Sequence, residues 1–292
     1  MTLSDQLITR FHQTSVSSII NRTPGVSTVA KQWWVHVQEK RFRAAISALG
    51  APRIPASEDD PLGRASVPTD LEAHAKLPPY VLAGEAFSDA MSESCTTSKF
   101  LSITRLSYSQ GYQDIYAAVL GHLADRRVRV LEIGIGVNDP NARSGMSYDH
   151  TPGASLKGWS QYLKGSEVHG ADIDKRCLVD TEWYTTHHVD QRDPSSLAAL
   201  ATVIGPPLDL IVDDGLHTPE ANGNTMAALL PLLSPSGVMV VEDILSKFDP
   251  LWKGLSGWLR SEYEVRYFPY RLLRQDHELG GTCGIAIITR RV

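Results

Sequence analysis

The pattern of apolar and polar positions divides the chain into a helical start and a longer stretch in which strands and helices alternate. Apolar residues recur at helical spacing within residues 3–48 and again from Ile115 to Leu123. Further along, helix-length segments such as 194–203 and 219–233 separate short apolar strands. The predicted strands are 128–133, 167–172, 184–189, 208–213 and 237–242. Alternation of this kind predicts a parallel sheet with helices on both faces.

The end of the chain departs from this alternation. Two β-rich stretches, 263–272 and 283–291, are separated by the short turn-prone segment HELGGT, which leaves no room for a helix. They should therefore close the sheet as an antiparallel pair. The predicted fold class is α/β, with a Rossmann-like sheet of seven strands that is mostly parallel and has an antiparallel C-terminal strand. Because residues 51–79 have the composition of a loop, we predict an N-terminal helical region and linker or lid at 1–90, and the α/β domain at 91–292.

Composition and charge narrow the classes of function. Of 292 residues, 42% are hydrophobic and 21% are charged, which is typical of a globular protein. The net charge of −5 and the lack of a basic cluster argue against a nucleic-acid partner. The three cysteines show no CxxC spacing, and no window reaches the roughly 20 apolar residues of a membrane helix. We therefore expect a cytoplasmic protein with no membrane partner.

The first chemical motif follows the first predicted strand, where Glu132 precedes Gly134 and Gly136. Glycines at this point let the backbone turn sharply and approach a nucleotide closely. A dinucleotide fingerprint requires a third glycine at the position that Asp139 occupies here. A long loop then precedes the next helix, so we expect that helix to start away from the glycines and to form no pyrophosphate site. A ligand without phosphates fits this motif better.

Acidic residues also follow the second and third predicted strands. Asp172 is positioned to accept hydrogen bonds from the ribose hydroxyls of an adenosine, and Asp174 is a weaker candidate for the same role. The alternative for both residues is capping of the following helix. Asp190 could accept a hydrogen bond from an adenine amino group, or it could belong to a surface turn.

Two further apolar strands each end on a pair of carboxylates. The first runs into Asp213 and Asp214, with His217 shortly afterwards, and the second runs into Glu242 and Asp243. A buried strand that ends on adjacent acids holds negative charge in a fixed position. This repeated pattern predicts a metal site or a catalytic site.

Five motifs in this order resemble those of the class I S-adenosylmethionine-dependent methyltransferases, over about residues 95–292. They are VLEIGIG, GADID, VDQRDP, LIVDDGLHT and GVMVVEDI. Within that superfamily, the acid pairs, the histidine and the segment PGASLKGW most resemble the metal-dependent O-methyltransferases of antibiotic sugars, the macrocin O-methyltransferase group. The resemblance implies that residues 91–292 form a methyltransferase domain that acts on a hydroxyl of a small natural product or sugar in antibiotic biosynthesis.

The resemblance also implies a set of site residues. S-adenosylmethionine would be held by the following residues, the last of which faces its methionine part: Glu132, Gly134, Gly136, Asp172, Asp190 and Asp213. A Mg²⁺ or similar divalent cation would be held by Asp214, Glu242 and Asp243. Asp214 and His217 would be the catalytic residues, with His217 as the general base.

Physical reasoning agrees with this cation site. Neighbouring strands lie about 4.8 Å apart, so carboxylates at their carboxyl ends converge on one ion. Oxygen ligands without cysteine favour Mg²⁺ over zinc. An imidazole three residues beyond Asp214 can take a proton from a substrate hydroxyl. The alternative is that Asp213 and Asp214 cap the following helix and that His217 is a structural hydrogen-bonding residue.

Two other classes of protein share parts of this pattern. A nicotinamide-dependent oxidoreductase has a similar sheet, but it needs the glycine that is missing at position 139. A non-catalytic binding protein on the same fold would keep the glycine loop and lose the acids and the base. The tryptophans of the N-terminal helices, Trp33 and Trp34, are expected in the core or in an interface, which leaves a homo-oligomer open.

Overall fold

The computed structural model describes most of the α/β domain and one N-terminal helix. The described residues are 26–54, 115–116, 119–123, 126–137, 139, 151–269 and 283–291. None of the helices in these ranges is long and apolar enough to cross a membrane.

Seven strands form one sheet in the order β3-β2-β1-β4-β5-β7-β6. They are β1 Arg129–Ile133, β2 Glu167–Asp172, β3 Thr185–His188, β4 Leu208–Asp213, β5 Leu233–Leu245, β6 Tyr263–Phe268 and β7 Cys283–Arg290. The first five run parallel, whereas β7 is antiparallel to both of its neighbours, β5 and β6. The predicted fold class is confirmed, including the antiparallel closure.

Five α-helices accompany the sheet within the described residues. They are α1 Val26–Ser47, α2 Ala154–Tyr162, α3 Pro194–Ile204, α4 Pro219–Leu229 and α5 Asp249–Gly254. Both α3 and α4 begin at a proline and are capped by the preceding side chain, Asp193 and Thr218 respectively. Residues 115–116 and 119–120 are also helical, as the apolar spacing before β1 predicts.

The chain between α4 and β5 differs from the sequence prediction. The predicted helix 219–233 ends at Leu229, because Pro231 follows in a short 3-10 turn. The strand predicted at 237–242 begins earlier, at Leu233, which pairs with Leu208 of β4. It also continues to Leu245, beyond the predicted end. The carboxyl end of β5 therefore projects past that of β4.

Side chains alternate between the two faces of the sheet and build two apolar layers. The first face, here called the α1 face, is covered by residues that include Phe42, Leu131, Leu197, Ile211 and Met226. The opposite face, here called the α2 face, is covered by residues that include Tyr116, Val130, Trp159, Leu210 and Val240. Because successive strand residues point to opposite faces, neighbouring acids at a strand end are expected to separate.

The N-terminal helix α1 is part of the α1 face. Phe42 is fully buried, and its ring centroid lies 5.4 Å from that of Trp252. Arg41 forms an ion pair of 2.7 Å with Glu220 at the start of α4. Trp33 is 50% exposed, whereas Trp34 and Val35 are partly buried and pack against the apolar layer of this face. The predicted domain boundary near residue 90 lies outside the described residues and stays a prediction.

Candidate active site

The glycine turn after β1 packs against the end of β4. Gly134 and Gly136 have φ values of 102° and 80°, which L-residues with side chains rarely adopt. A Cβ atom on Gly134 would lie 2.1 Å from the carbonyl oxygen of Asp214. Glycine is therefore required at position 134 by both conformation and space.

Asp172 at the end of β2 holds the glycine turn in place. Its Oδ2 accepts hydrogen bonds from the backbone amides of Ile135 (2.9 Å) and Gly136 (3.1 Å). Its Oδ1 accepts a third bond from the amide of Asp174. A carboxylate has about four acceptor positions, so the predicted ribose contact remains compatible with these bonds. Asp174 caps the short helical turn that follows β2. This is the alternative to a ribose contact that the sequence left open for Asp174.

The start of α2 lies against the glycine turn. The amide of Gly153, just before α2, donates to the carbonyl of Ile135 at 3.2 Å. The sequence-based expectation that this helix starts away from the glycines is therefore wrong. Gly153 lies beside the turn although 16 residues separate it from Gly136 in the sequence, because separation along a loop does not set separation in space.

The remaining predicted cofactor residues near β1 and β3 also have internal partners. Glu132 is fully buried on the α2 face, where its Oε2 accepts a bond of 2.8 Å from the indole of Trp159. Asp190 accepts bonds from the backbone amide and the guanidinium of Arg192. Partial burial would raise the pKa of Asp190, but these bonds lower it below its ordinary value. Asp190, which follows the end of β3, is therefore expected to stay ionised.

Asp213 is the first acid of the first pair, and it is fully buried on the α1 face. Its Oδ1 accepts a bond of 2.7 Å from Gln191, and its Oδ2 accepts a bond of 3.0 Å from Asn222. Burial raises the pKa of Asp213, although the bonds from Asn222 and Gln191 act in the opposite direction. The contact of Asp213 with the methionine part of S-adenosylmethionine stays a prediction. In the structure, the Asp213 carboxylate accepts from Gln191 and Asn222.

Glu242 is the first acid of the second pair, and it is fully buried on the α2 face. Its Oε1 accepts a hydrogen bond from the hydroxyl of Tyr116, which is also fully buried. Burial and the neighbouring Glu242 charge raise the pKa of Tyr116 well above its ordinary value. Tyr116 therefore stays protonated and donates to the carboxylate.

The second acid of each pair meets His217 at the carboxyl edge of the sheet. One ligand atom from each of Asp214, His217 and Asp243 lies within 4.8 Å of the others, and all three residues are half-buried. The Nε2 atom of His217 lies 4.0 Å from Oδ1 of Asp214. Its Nδ1 atom is buried and has no hydrogen-bond partner among the described residues. This edge cluster has the donor atoms of a cation site.

The backbone at the edge cluster adopts a rare conformation. His217 and Asp243 have φ values of 52° and 51°, and they are the two non-glycine residues with positive φ among those described. A left-handed conformation costs about 1–2 kcal/mol for such residues and persists where the surroundings enforce it. Conformations of this kind concentrate at functional sites.

A β-bulge in β5 explains the conformation of Asp243. Val241 pairs with Ala286 and Ile244 pairs with Gly284, so β5 has one residue more than β7 in this interval. Val241 and Ile244 consequently contribute to the same apolar face, although a regular strand would send them to opposite faces. The extra residue brings Asp243 to the edge while Glu242 remains buried.

Several residues of the site were not predicted from the sequence. They are Tyr116, Trp159, Gln191, Asn222 and Thr225. Asn222 and Thr225 lie three positions apart on α4, and polar residues at helical spacing on a buried helix face were a usable signal. Gln191 has no such signal, because it lies between charged residues in a predicted turn.

Comparison with known proteins agrees with the fold and the motifs. A family profile described as a methyltransferase domain matches residues 136–244. The 8-demethyl-8-alpha-L-rhamnosyl tetracenomycin-C 2'-O-methyltransferase of Streptomyces olivaceus is 34% identical over 51% of this chain and 36% of its own length. The demethylmacrocin O-methyltransferase of Streptomyces fradiae is 34% identical over 46% of this chain and 31% of its own length. The chain thus spans about a third of these two relatives.

A solved structure supports the same fold. The MycE methyltransferase from the mycinamycin biosynthetic pathway, in complex with Mg and SAH, has a TM-score of 0.51 and 22% sequence identity. The match covers 70% of this chain and 54% of that protein. The fold is that of this solved methyltransferase, and residues 136–244 match a methyltransferase domain, in agreement with the resemblance to class I S-adenosylmethionine-dependent methyltransferases. Within that class, the resemblance to the O-methyltransferases of antibiotic sugars is confirmed.

Proposed function

We propose that this chain is an S-adenosylmethionine-dependent O-methyltransferase that requires Mg²⁺ or a similar divalent cation. Its acceptor is a hydroxyl of a sugar or another small natural product of secondary metabolism. The observation that carries this proposal is the edge cluster of Asp214, His217 and Asp243 beside the glycine turn. The named activities of the Streptomyces relatives support the reaction type and the class of acceptor.

The proposed cofactor residues surround the glycine turn. When bound, S-adenosylmethionine supplies a methyl group on a sulfonium, which is already reactive. Gly134 and Gly136 supply the left-handed conformations that the turn requires, and Gly134 lets the turn pack against Asp214. Asp172 fixes the turn through its amides, and Asp190 lies beyond the end of β3 on the same edge of the sheet. Glu132 and Asp213 are buried, and they would support the cofactor site through their hydrogen bonds to Trp159, Gln191 and Asn222.

The proposed cation ligands fit the chemistry of the edge cluster. Asp214 and Asp243 offer carboxylate oxygens from two neighbouring strands, which is the donor type that Mg²⁺ prefers. Glu242 is proposed as the third carboxylate ligand. Its side chain would have to turn from the Tyr116 hydroxyl toward the edge. When bound, a divalent cation lowers the pKa of an acceptor hydroxyl and orients it.

His217 is proposed as the general base. Its Nε2 atom lies 4.0 Å from Oδ1 of Asp214, and its buried Nδ1 atom has no partner among the described residues, so Nδ1 is not committed to a hydrogen bond there. It would take the hydroxyl proton as the acceptor oxygen bonds to the methyl carbon, whose bond to sulfur would break and leave S-adenosylhomocysteine. The left-handed backbone at His217 holds the ring at the edge, so orientation contributes much of the rate.

Turnover assays test this function directly. The chain is incubated with S-adenosylmethionine and a set of glycosylated antibiotics that carry free sugar hydroxyls, and added methyl groups are measured by mass spectrometry. We expect methylation that stops with EDTA and returns with Mg²⁺, and a loss of about 10²-fold or more in His217→Ala with unchanged affinity for S-adenosylhomocysteine. Equal rates in EDTA would remove the cation from the mechanism. Equal rates in His217→Ala would remove the base.

The two alternative classes receive less support. Asp139 occupies the position of the third fingerprint glycine, and its carboxylate forms an ion pair with Arg176. Titration with NADH would reveal an oxidoreductase by a change in nicotinamide fluorescence. A non-catalytic binding protein would bind S-adenosylhomocysteine and transfer no methyl group to any acceptor. Cytoplasmic location, the lack of a nucleic-acid partner and a homo-oligomeric state stay predictions.

A further inference from the structure

Gln191, the residue after Asp190, connects three elements at the carboxyl edge of the sheet. Its side chain is 6% exposed. The Nε2 atom donates to Oδ1 of Asp213 at 2.7 Å and to Oγ1 of Thr225 at 2.9 Å. Asn224 of α4 donates to the carbonyl oxygen of Gln191 at 3.0 Å. The loop after β3 is thereby fixed both to the end of β4 and to α4.

The same side chain holds the turn that carries His217. The amide of Leu216 donates to Oε1 of Gln191 at 2.8 Å. Gly215 packs so closely on this group that a Cβ atom would lie 2.1 Å from Oε1. Gly215 and Leu216 are the two residues between Asp214 and His217. The hydrogen bonds of one buried amide therefore determine the path of the backbone from the cation ligand to the base.

The conformation of His217 makes this support necessary. Its φ of 52° is unfavourable for a residue with a side chain, so neighbouring contacts must enforce it. Leu216 is 46% exposed and cannot anchor the turn by burial. The bond from the Leu216 amide to Gln191 lies one residue before the strained position and, at 2.8 Å, is shorter than the 3.4 Å contact of the Gly215 amide with Asp213.

We infer that Gln191 is a positioning residue that holds the catalytic turn of His217 and ties it to the loop of Asp190, the predicted adenine contact. This inference rests on the proposed role of His217 as the base. Gln191 touches neither reacting atom and acts through the turn. Its loss should therefore lower kcat more than it weakens the affinity for the cofactor product, because Asp190 and Asp213 keep their bonds from Arg192 and Asn222.

The variant Gln191→Leu tests the inference, with Gln38→Leu as its matched control. Gln38 is also buried, at 2% exposure, and accepts one backbone bond from the amide of Glu220, which lies in α4 and not in the turn from Asp214 to His217. We expect Gln191→Leu to lower kcat about 10- to 100-fold, as displacement of a catalytic group does. The dissociation constant for S-adenosylhomocysteine should stay within about threefold. Gln38→Leu should change neither quantity, although both variants lose thermal stability.

A double-mutant cycle with His217→Ala separates positioning from a general loss of structure. If Gln191 acts through His217, Gln191→Leu has no further effect on kcat once the imidazole is gone. A full additional loss in the His217→Ala background would overturn the inference. If His217→Ala alone leaves turnover unchanged, the proposed base is wrong, and the cycle identifies that failure separately.

A crystal structure of Gln191→Leu supplies a readout that needs no acceptor. We expect residues 215–217 to shift and residue 217 to leave the left-handed region, because the Leu216 amide has lost its acceptor, whereas the Asp214 amide keeps its bond to the carbonyl of Ile133. A turn that keeps its path and the φ of His217 would show that Gln191 does not position the base.

Discussion

The two acid pairs share a sequence pattern, and in both pairs one acid is buried while the other lies at the edge of the sheet. The backbone conformations that produce this arrangement differ between the pairs. In each pair the first acid is fully buried and the second lies in the edge cluster. Asp213 is buried on the α1 face beside α4, whereas Glu242 is buried on the α2 face beside Tyr116. Adjacent acids at a strand end are thus not equivalent, since alternation sends them in different directions.

The second acids differ in how the backbone delivers them. Asp214 follows the last residue of β4, and its side chain lies at the edge because the strand has ended there. Asp243 lies inside β5, which continues to Leu245, so a bulge with a positive φ is needed to bring it to the same edge. Asp214 thus reaches the edge because it follows the end of a strand, and Asp243 reaches it because a bulge inserts one extra residue into β5.

Replacing the edge acids should have the largest effect. We expect Asp214→Asn and Asp243→Asn each to lower turnover on the order of 10³-fold, because each loses a charged ligand of the proposed cation. Mg²⁺ affinity, measured by calorimetry with S-adenosylhomocysteine present, should fall in parallel. Asp209→Asn is the control, since Asp209 is buried at the opposite end of β4, where it accepts from the amide of Arg129. If Asp243→Asn turned over as fast as the unsubstituted protein, the bulge in β5 would not be positioning a cation ligand.

Replacing Gly134 should sharpen the contrast, because the Cβ position of Gly134 lies against Asp214 of the first acid pair. Alanine at this position would force a Cβ atom into the Asp214 carbonyl at a φ of 102°. We expect the free energy of unfolding to fall by at least roughly 3 kcal/mol, measured by urea denaturation. Gly165→Ala is the control, since Gly165 also has a positive φ but no atom within 4 Å of its Cβ position. That variant should lose only about 1–2 kcal/mol. Similar losses in both would show that conformation alone requires glycine at position 134.

Glu242 should have a smaller effect than the edge acids. We expect Glu242→Gln to weaken Mg²⁺ binding about tenfold, because the carboxylate must first leave the Tyr116 hydroxyl before it can reach the cation. Calorimetric titration of Mg²⁺ measures this change. An unchanged affinity would restrict Glu242 to a structural role on the α2 face, and the two first acids would then be alike.

Replacing Tyr116 should change Mg²⁺ affinity the least, and it should raise that affinity and not lower it. We expect Tyr116→Phe to tighten Mg²⁺ binding by about two- to fivefold, because a buried carboxylate that loses its donor turns more readily toward a cation. Tyr263→Phe removes a buried hydroxyl that donates to the carbonyl of Leu230 and should leave the affinity unchanged. Weaker binding in Tyr116→Phe would show that Tyr116 orients Glu242 as a ligand.

The fold was largely predictable because its strands are short apolar runs separated by clear helical segments. The edge position of Asp214 followed from the end of β4, which the pattern marks. The separation of Glu242 from Asp243 was not predictable, because a bulge depends on how β5 pairs with the distant strand β7. Likewise, nothing local in the sequence shows that Gln191 reaches Asp213 and Leu216, since those contacts form only when the loops after β3 and β4 meet.

A crystal of the chain soaked with Mn²⁺ and S-adenosylhomocysteine tests the cation site most directly. Anomalous scattering locates the ion without reference to the side chains. We expect one strong peak at the edge cluster, about 2.1 Å from carboxylate oxygens of Asp214 and Asp243. The Glu242 side chain should have moved from Tyr116 to the ion. No peak at this edge, while S-adenosylhomocysteine is bound beside the glycine turn, would contradict a cation-dependent methyltransferase.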